Sequence, residues 1–151
     1  MNLLLDTNVV SELRKLGAGK ASPAVAAWAR QVDLADVAIS SVTVHELELG
    51  VLAKERSDPS QGRVLRDWLE TQVFEEFQGR VLPVDFAVAK AAAAFSSPDP
   101  APFRDALIGA TALVAGIAVA TRNTADFERL AGVRLVNPWL FQSTDEHPNP
   151  S

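Results

Sequence analysis

Leu3-Leu4-Leu5-Asp6-Thr7-Asn8 decides how the rest of the chain is read. A short run that is apolar on both faces suits a strand buried in a parallel sheet with helices on either side. The acid and polar residues that follow it then lie at the strand's carboxyl end. The same phrase recurs in outline: Val37-Ala38-Ile39 precedes Glu46, and Ile117-Ala118-Val119-Ala120 precedes Asp126. A further acid, Asp105, opens the helical pattern Asp105-Ala106-Leu107-Ile108-Gly109-Ala110. In an open α/β sheet the carboxyl ends of the parallel strands share one edge, and the ligand crevice lies there.

Around these phrases strand-like runs alternate with helix-like stretches, the pattern of an α/β fold with a parallel sheet. Strands are expected near Leu3–Leu5, Val37–Ile39, Val81–Val84, Ile117–Ala120 and Arg134–Val136. Helices are expected at about Val9–Lys15, Pro23–Gln31, Thr43–Lys54, Gly62–Glu76, Phe86–Ala94, Arg104–Ala115 and Ala125–Leu130. Val64, Leu65, Trp68, Leu69 and Val73 form one apolar stripe on the fourth of these. Asp58-Pro59-Ser60 and the proline-rich run Ser96–Pro102 read as breaks. No internal repeat is evident. The 151 residues suit one domain, expected over 1–143, and the polar, proline-containing tail 144–151 is expected to fray.

Composition narrows the chemistry. The absence of cysteine excludes disulfides, thiolate metal sites and cysteine nucleophiles. No run reaches the roughly 18 uncharged apolar residues of a membrane span, and no cleavable leader precedes Leu3, so a cytoplasmic protein without a membrane partner is expected. The net charge of −5 argues against broad coating of nucleic acid. A compact site is still compatible with that charge. Arg14, Lys15, Arg104 and Arg122 lie close in sequence to Asp6, Asp105 and Asp126.

Each acid also has a purely structural explanation. Asp6 suits an N-cap, and Glu46 stands at capping-box spacing from Thr43. Asp105 and Asp126 fall in first helical turns, where a carboxylate complements the helix dipole. Caps, however, need no particular neighbours. Here the acids sit within the phrases Leu4-Leu5-Asp6-Thr7-Asn8, Thr43-Val44-His45-Glu46-Leu47 and Asp105-Ala106-Leu107-Ile108-Gly109-Ala110-Thr111-Ala112-Leu113, then Thr121-Arg122-Asn123 followed by Asp126-Phe127. Convergent carboxylates repel one another, and a hard divalent cation with oxygen ligands removes that cost. Such an ion polarises a phosphodiester oxygen and acidifies a bound water, so no histidine or serine nucleophile is required.

In this order and at these intervals, the motifs resemble the PIN-domain ribonucleases of the VapC toxin type, and among them a FitB-like subgroup. The likeness runs from the first strand to Asn137-Pro138-Trp139. It implies a five-stranded parallel sheet with helices on both faces and an acidic site binding Mg²⁺ or Mn²⁺. It also implies endonucleolytic RNA cleavage, as the toxin of a type II toxin–antitoxin pair. By this resemblance Asp6, Glu46, Asp105 and Asp126 are the catalytic, metal-holding acids, and Thr7 and Asn123 support ligands or the scissile phosphate. A homodimer and a VapB-like antitoxin are the implied partners, besides the RNA.

Two other readings use an aspartate after the first strand. A haloacid-dehalogenase-like Mg²⁺ phosphatase wants a second aspartate two residues on, where this chain has Asn8. A response-regulator-like domain wants paired acids and a strand-end lysine, whereas Asp6 has no acidic neighbour before Glu12 and Arg122 follows the Val119 run. His45, beside Glu46, is expected to be an ordinary helix residue. Trp28, Trp68 and Trp139 are expected in the core or at interfaces, and Asp85 as an N-cap.

Overall fold

The computed structural model describes residues 1–143; the tail expected to fray, 144–151, lies outside the described residues. Five strands make one sheet: β1 (Leu3–Leu5), β2 (Val37–Ser40), β3 (Val81–Leu82), β4 (Ala118–Ala120) and β5 (Leu135–Val136). Their order is β3-β2-β1-β4-β5, and every neighbouring pair is parallel. The chain leaves β1 for β2 on one side and later returns to β4 on the other. Strand order therefore reverses between β1 and β4, and a crevice opens at their carboxyl ends. Asp6 and Thr121 are the first residues beyond those two ends.

The pleat divides the core between the two faces. Leu5, Val37, Ile39 and Ala120 join one buried cluster with Val9, Val10, Trp28, Leu69 and Val73. Leu4, Ala38 and Val119 join the other with Ile108, Phe127 and Leu130. Apolar side chains alternate onto two covered faces, which is why these strands read as unbroken hydrophobic runs.

Helices α1 (Thr7–Arg14), α2 (Pro23–Gln31), α3 (Ser41–Ser57), α4 (Pro59–Trp68), α5 (Phe86–Phe95), α6 (Phe103–Ala115) and α7 (Thr124–Phe127) connect the strands. Several begin earlier than hydrophobic periodicity suggests, because the cap precedes the first apolar position. The Asp6 carboxylate accepts from the Thr7 amide, and Ser40 caps α3 through the Val42 amide. The largest departure is at Asp58-Pro59-Ser60. Instead of a loop there is a single capping residue, Asp58, with Pro59 in the first helical position, where its missing amide hydrogen costs nothing. The helix expected over 62–76 thus starts at Pro59 and widens into a π-helical segment over Leu69–Phe74. A Cβ at Gly62 would collide with the Glu55 backbone, so glycine is what lets α4 fold back closely on α3. Strand β3 stops at Leu82 and not at Val84, since Pro83 has no amide hydrogen to donate.

Trp28 is buried in the core, while Trp68 and Trp139 are partly exposed under Arg14 and Arg122, whose guanidinium carbons lie 5.9 and 5.3 Å from the ring centroids. Asp85 caps α5 through the Val88 amide at 3.0 Å. Among the described residues no helix is long and apolar enough to cross a membrane.

Candidate active site

The crevice at the switch point is built first around Asp6. Its side chain is fully buried. One carboxylate oxygen accepts from the Thr7 amide at 2.8 Å, and the other from the Thr121 hydroxyl at 2.8 Å and the Asn8 side-chain amide at 3.3 Å. Asn8 is held in turn by the Arg122 amide, which donates to its side-chain oxygen at 3.2 Å. A buried carboxylate needs such donors, and strand end, helix cap and neighbouring strand end supply them together.

Glu46 comes from the interior of α3, more than a full turn past its start. Its capping-box explanation therefore falls, because Ser40 rather than Thr43 caps the helix. The carboxylate is turned inward instead. Thr7 Oγ1 donates to Glu46 Oε1 at 2.9 Å and lies 3.1 Å from Thr43 Oγ1. Asp105 stands in the first turn of α6 and is largely buried. That burial pushes its carboxyl above the usual aspartate range; Arg104 opposes the shift, and the charges of Asp126 and Asp6 add to it.

Arg104 joins the three acids. Its Nη2 donates to Asp6 at 2.5 Å, its Nε to Glu46 at 2.6 Å and its Nη1 to Asp105 at 2.7 Å. Burial works against the charge on Arg104, but hydrogen bonds to Glu46 and Asp6 outweigh it and raise its pKa above the ordinary arginine value. One planar cation thus draws together carboxylates from the end of β1, from α3 and from α6.

Asp126 and Asn123 sit apart from this knot. Asp126 is exposed on α7 and acts on Asp105 through its charge; its amide donates to the Asn123 carbonyl at 3.1 Å, and among the described residues its carboxylate makes no ion pair. Asn123 contributes its backbone amide to Thr121 Oγ1 at 3.0 Å. Sequence reasoning thus named the three acids that meet, one that stands at the rim, and Thr7. It did not single out Thr121, Asn8 or Thr43. For Thr121 a signal existed, since it directly follows the β4 run as Asp6 follows β1. Arg104 was noticed only as a nearby positive charge.

The donor set for a metal ion is all oxygen, which is the chemistry of Mg²⁺ and Mn²⁺. Among the described residues no three His, Asp or Glu side chains stand close enough to hold an ion directly. The Arg104 guanidinium lies between Asp6, Glu46 and Asp105 and bridges them. In donor chemistry, three carboxylates from three elements suit a hard divalent ion. A cleft of about 510 Å³ opens beside them, lined by Ser41, His45, Glu46, Leu49, Phe103 and Arg104 among others. A second cleft, of about 500 Å³, lies between α1, α2 and the π-helical segment; its wall is mainly apolar and holds none of the three converging acids.

Comparison with known proteins identifies the family and the fold. The chain is 38% identical over 143 residues to Toxin FitB of Neisseria gonorrhoeae, spanning 91% of this chain and 98% of that one. It is 35% identical over 142 residues to VapC ribonuclease Y4jK of Sinorhizobium fredii, spanning 91% and 97% of the two chains. The crystal structure of FitAcB from Neisseria gonorrhoeae matches with a TM-score of 0.82 at 35% identity, over 92% of this chain and 99% of that one. The PIN domain pattern covers residues 3–133, from the first strand to the turn before β5, and the chain belongs to the PIN-domain family.

Proposed function

We propose that this protein is a divalent-metal-dependent endoribonuclease and the toxin of a toxin–antitoxin pair. The observation that carries the reading is the convergence of Asp6, Glu46 and Asp105 on a single cation at the switch point of the sheet. Likeness to a toxin and to a ribonuclease over most of both chains supports it. Asp6, Glu46 and Asp105 would hold Mg²⁺ or Mn²⁺, with Asp126 adding its charge or a water-mediated contact from the rim. When bound, the ion supplies a polarised phosphodiester oxygen and an acidified water for hydrolysis.

The chain's own residues do the positioning. Thr121 and Asn8 fix one oxygen of Asp6 and leave the other facing the crevice. Thr7 orients Glu46. Asn123 holds Thr121 through its amide, and its side chain is left for a phosphate oxygen. An RNA strand would approach along the cleft between α3 and α6, where His45 and Phe103 line the wall. Sequence-specific RNA recognition mostly targets single strands and loops, whose bases can be splayed out, and such a segment is the expected substrate. A toxin made by its own host needs a neutralising partner, so a VapB-like antitoxin completes the reading, and the family resemblance adds a homodimeric toxin.

The test is cleavage of single-stranded and structured RNA by purified protein with Mg²⁺, with Mn²⁺ and with EDTA, alongside Asp6→Asn protein. Metal-dependent cutting that disappears in the variant supports the reading. Cutting that survives either EDTA or Asp6→Asn overturns it.

A further inference from the structure

We infer that Arg104 is a resident occupant of the carboxylate site, and that it and a divalent ion exclude each other, so that metal entry requires the guanidinium to swing out into the neighbouring cleft. The inference rests on the proposed metal site and concerns what this chain does there before metal arrives.

Three observations carry it. Each of the three guanidinium nitrogens is committed to a different carboxylate, at 2.5, 2.6 and 2.7 Å. Two of those carboxylates, Asp6 and Asp105, are buried, so the guanidinium is not a surface counter-charge. Next, the oxygens are spread to suit a planar group. Mg²⁺ demands oxygens at roughly 2.0–2.1 Å in near-octahedral geometry, so the same oxygens must close in around an ion, and the space that they close into is the guanidinium's. Two cations in that space would also repel at close range.

The third observation is that the exit is open. Arg104 sits in the first turn of α6 with its side chain 34% exposed, and it lines the cleft together with Ser41, His45, Leu49 and Phe103. Rotation about its own side-chain bonds frees the site without moving the backbone. Thr7, Asn8 and the buried Thr121 still tether Asp6 and Glu46 to the crevice after it leaves. The device makes the site self-closing: carboxylates that would repel one another at low metal are bridged by an internal cation, and metal must compete for them.

The experiment is a Mg²⁺ titration of ¹⁵N-labelled full-length protein, following the Arg104 Nε–H resonance, which is assigned by its loss in Arg104→Ala. Ion occupancy is measured in parallel by calorimetry on both proteins. The expected result is a hydrogen-bonded, exchange-protected Nε–H without metal that moves to the position of a free arginine as the site fills. Arg104→Ala should bind the ion about tenfold more tightly or better, the factor for an occupant that holds the site nine-tenths of the time. Ion binding with the Nε–H unchanged overturns this inference alone. No binding of Mg²⁺ or Mn²⁺ by either protein overturns the proposed metal site and this inference with it.

Discussion

Two arginines in this molecule each gather three acids, and they do different work. Arg66 on α4 reaches Glu48 and Glu55 on α3 and Glu70 one turn further along its own helix, at 2.7, 2.9 and 3.2 Å. Arg104 reaches Asp6, Glu46 and Asp105 at similar distances. The inventory of charges is nearly the same, but the surroundings are not. The acids around Arg66 are each more than a third exposed, and water could replace their partner at little cost. Around Arg104, Asp6 has no exposure at all, and Asp105 is nearly closed off. A buried carboxylate stays charged only beside a cation or enough donors. The first cluster therefore staples two helices, and the second holds buried acids together at the crevice.

Breaking the buried cluster should have the largest effect. Asp6→Asn is expected to lower RNA cleavage by more than the roughly 10–100-fold that outer-shell partners carry, and to abolish any rise in melting temperature with Mg²⁺. Cleavage assays and thermal unfolding with and without metal check both outcomes. Thr121→Val removes the hydroxyl that fixes Asp6 and the acceptor of the Asn123 amide. Metal affinity should fall by about 10–100-fold while the fold is kept, as read by calorimetry and circular dichroism. Equal metal binding in the variant would mean that Asp6 is placed by its helix cap alone.

The surface cluster is tested through the helix approach beneath it. Gly62→Ala forces a Cβ into the Glu55 backbone and should cost about 1–3 kcal/mol in urea unfolding. Metal affinity should be untouched, because no acid of the crevice moves.

Acid should separate the two clusters more gently, and with opposite signs. The Asp105 carboxyl is raised above 3.8, chiefly by burial. Its ionisation therefore burdens the metal-free fold above the raised value, and the burden is relieved as pH falls through that value toward 3.8. Asp105→Asn should stabilise the metal-free protein at neutral pH, and the gain should disappear in acid. Glu55 is lowered below 4.5, chiefly by its hydrogen bond to Arg66. It contributes stability above 4.5 that is lost as pH falls through the lowered value. Glu55→Gln should therefore slightly destabilise the neutral protein, with the loss fading in acid and in high salt. Thermal melts of both variants across pH 3–8 check the signs.

The contrast also marks what could be read from the chain. The strands were legible because a sheet covered on both faces writes itself as unbroken apolar runs, and Leu3–Leu5 matches the observed β1 residue for residue. Helix starts were read late wherever the cap, such as Asp6, Ser40 or Asp58, stood outside the periodic pattern. The π-helical widening after Trp68 leaves no mark in composition, since the same side chains serve either winding. In the crevice, the acids were legible by type and by their position after strands. The hub was not. Arg104 meets Asp6 across 98 residues, and only the register of β1 with its neighbours and the first turn of α6 decide that meeting. Asp126 was legible by the same motif reasoning, yet it stands on the rim because α7 is a short helix that turns its acid outward to solvent.

The strand order has a consequence for how the protein is born. Asp6 leaves the ribosome long before its partners, for β1 pairs with β4, and the hydroxyl that holds Asp6 belongs to Thr121, 115 residues later. Contacts this distant close late, after most of the chain is available. A nascent chain that has passed β2 and β3 holds three of the five strands and two of the acids, but no assembled crevice. The activity proposed here would switch on only after β4 and Thr121 have emerged and paired, which gives the cell a window in which the growing toxin is harmless.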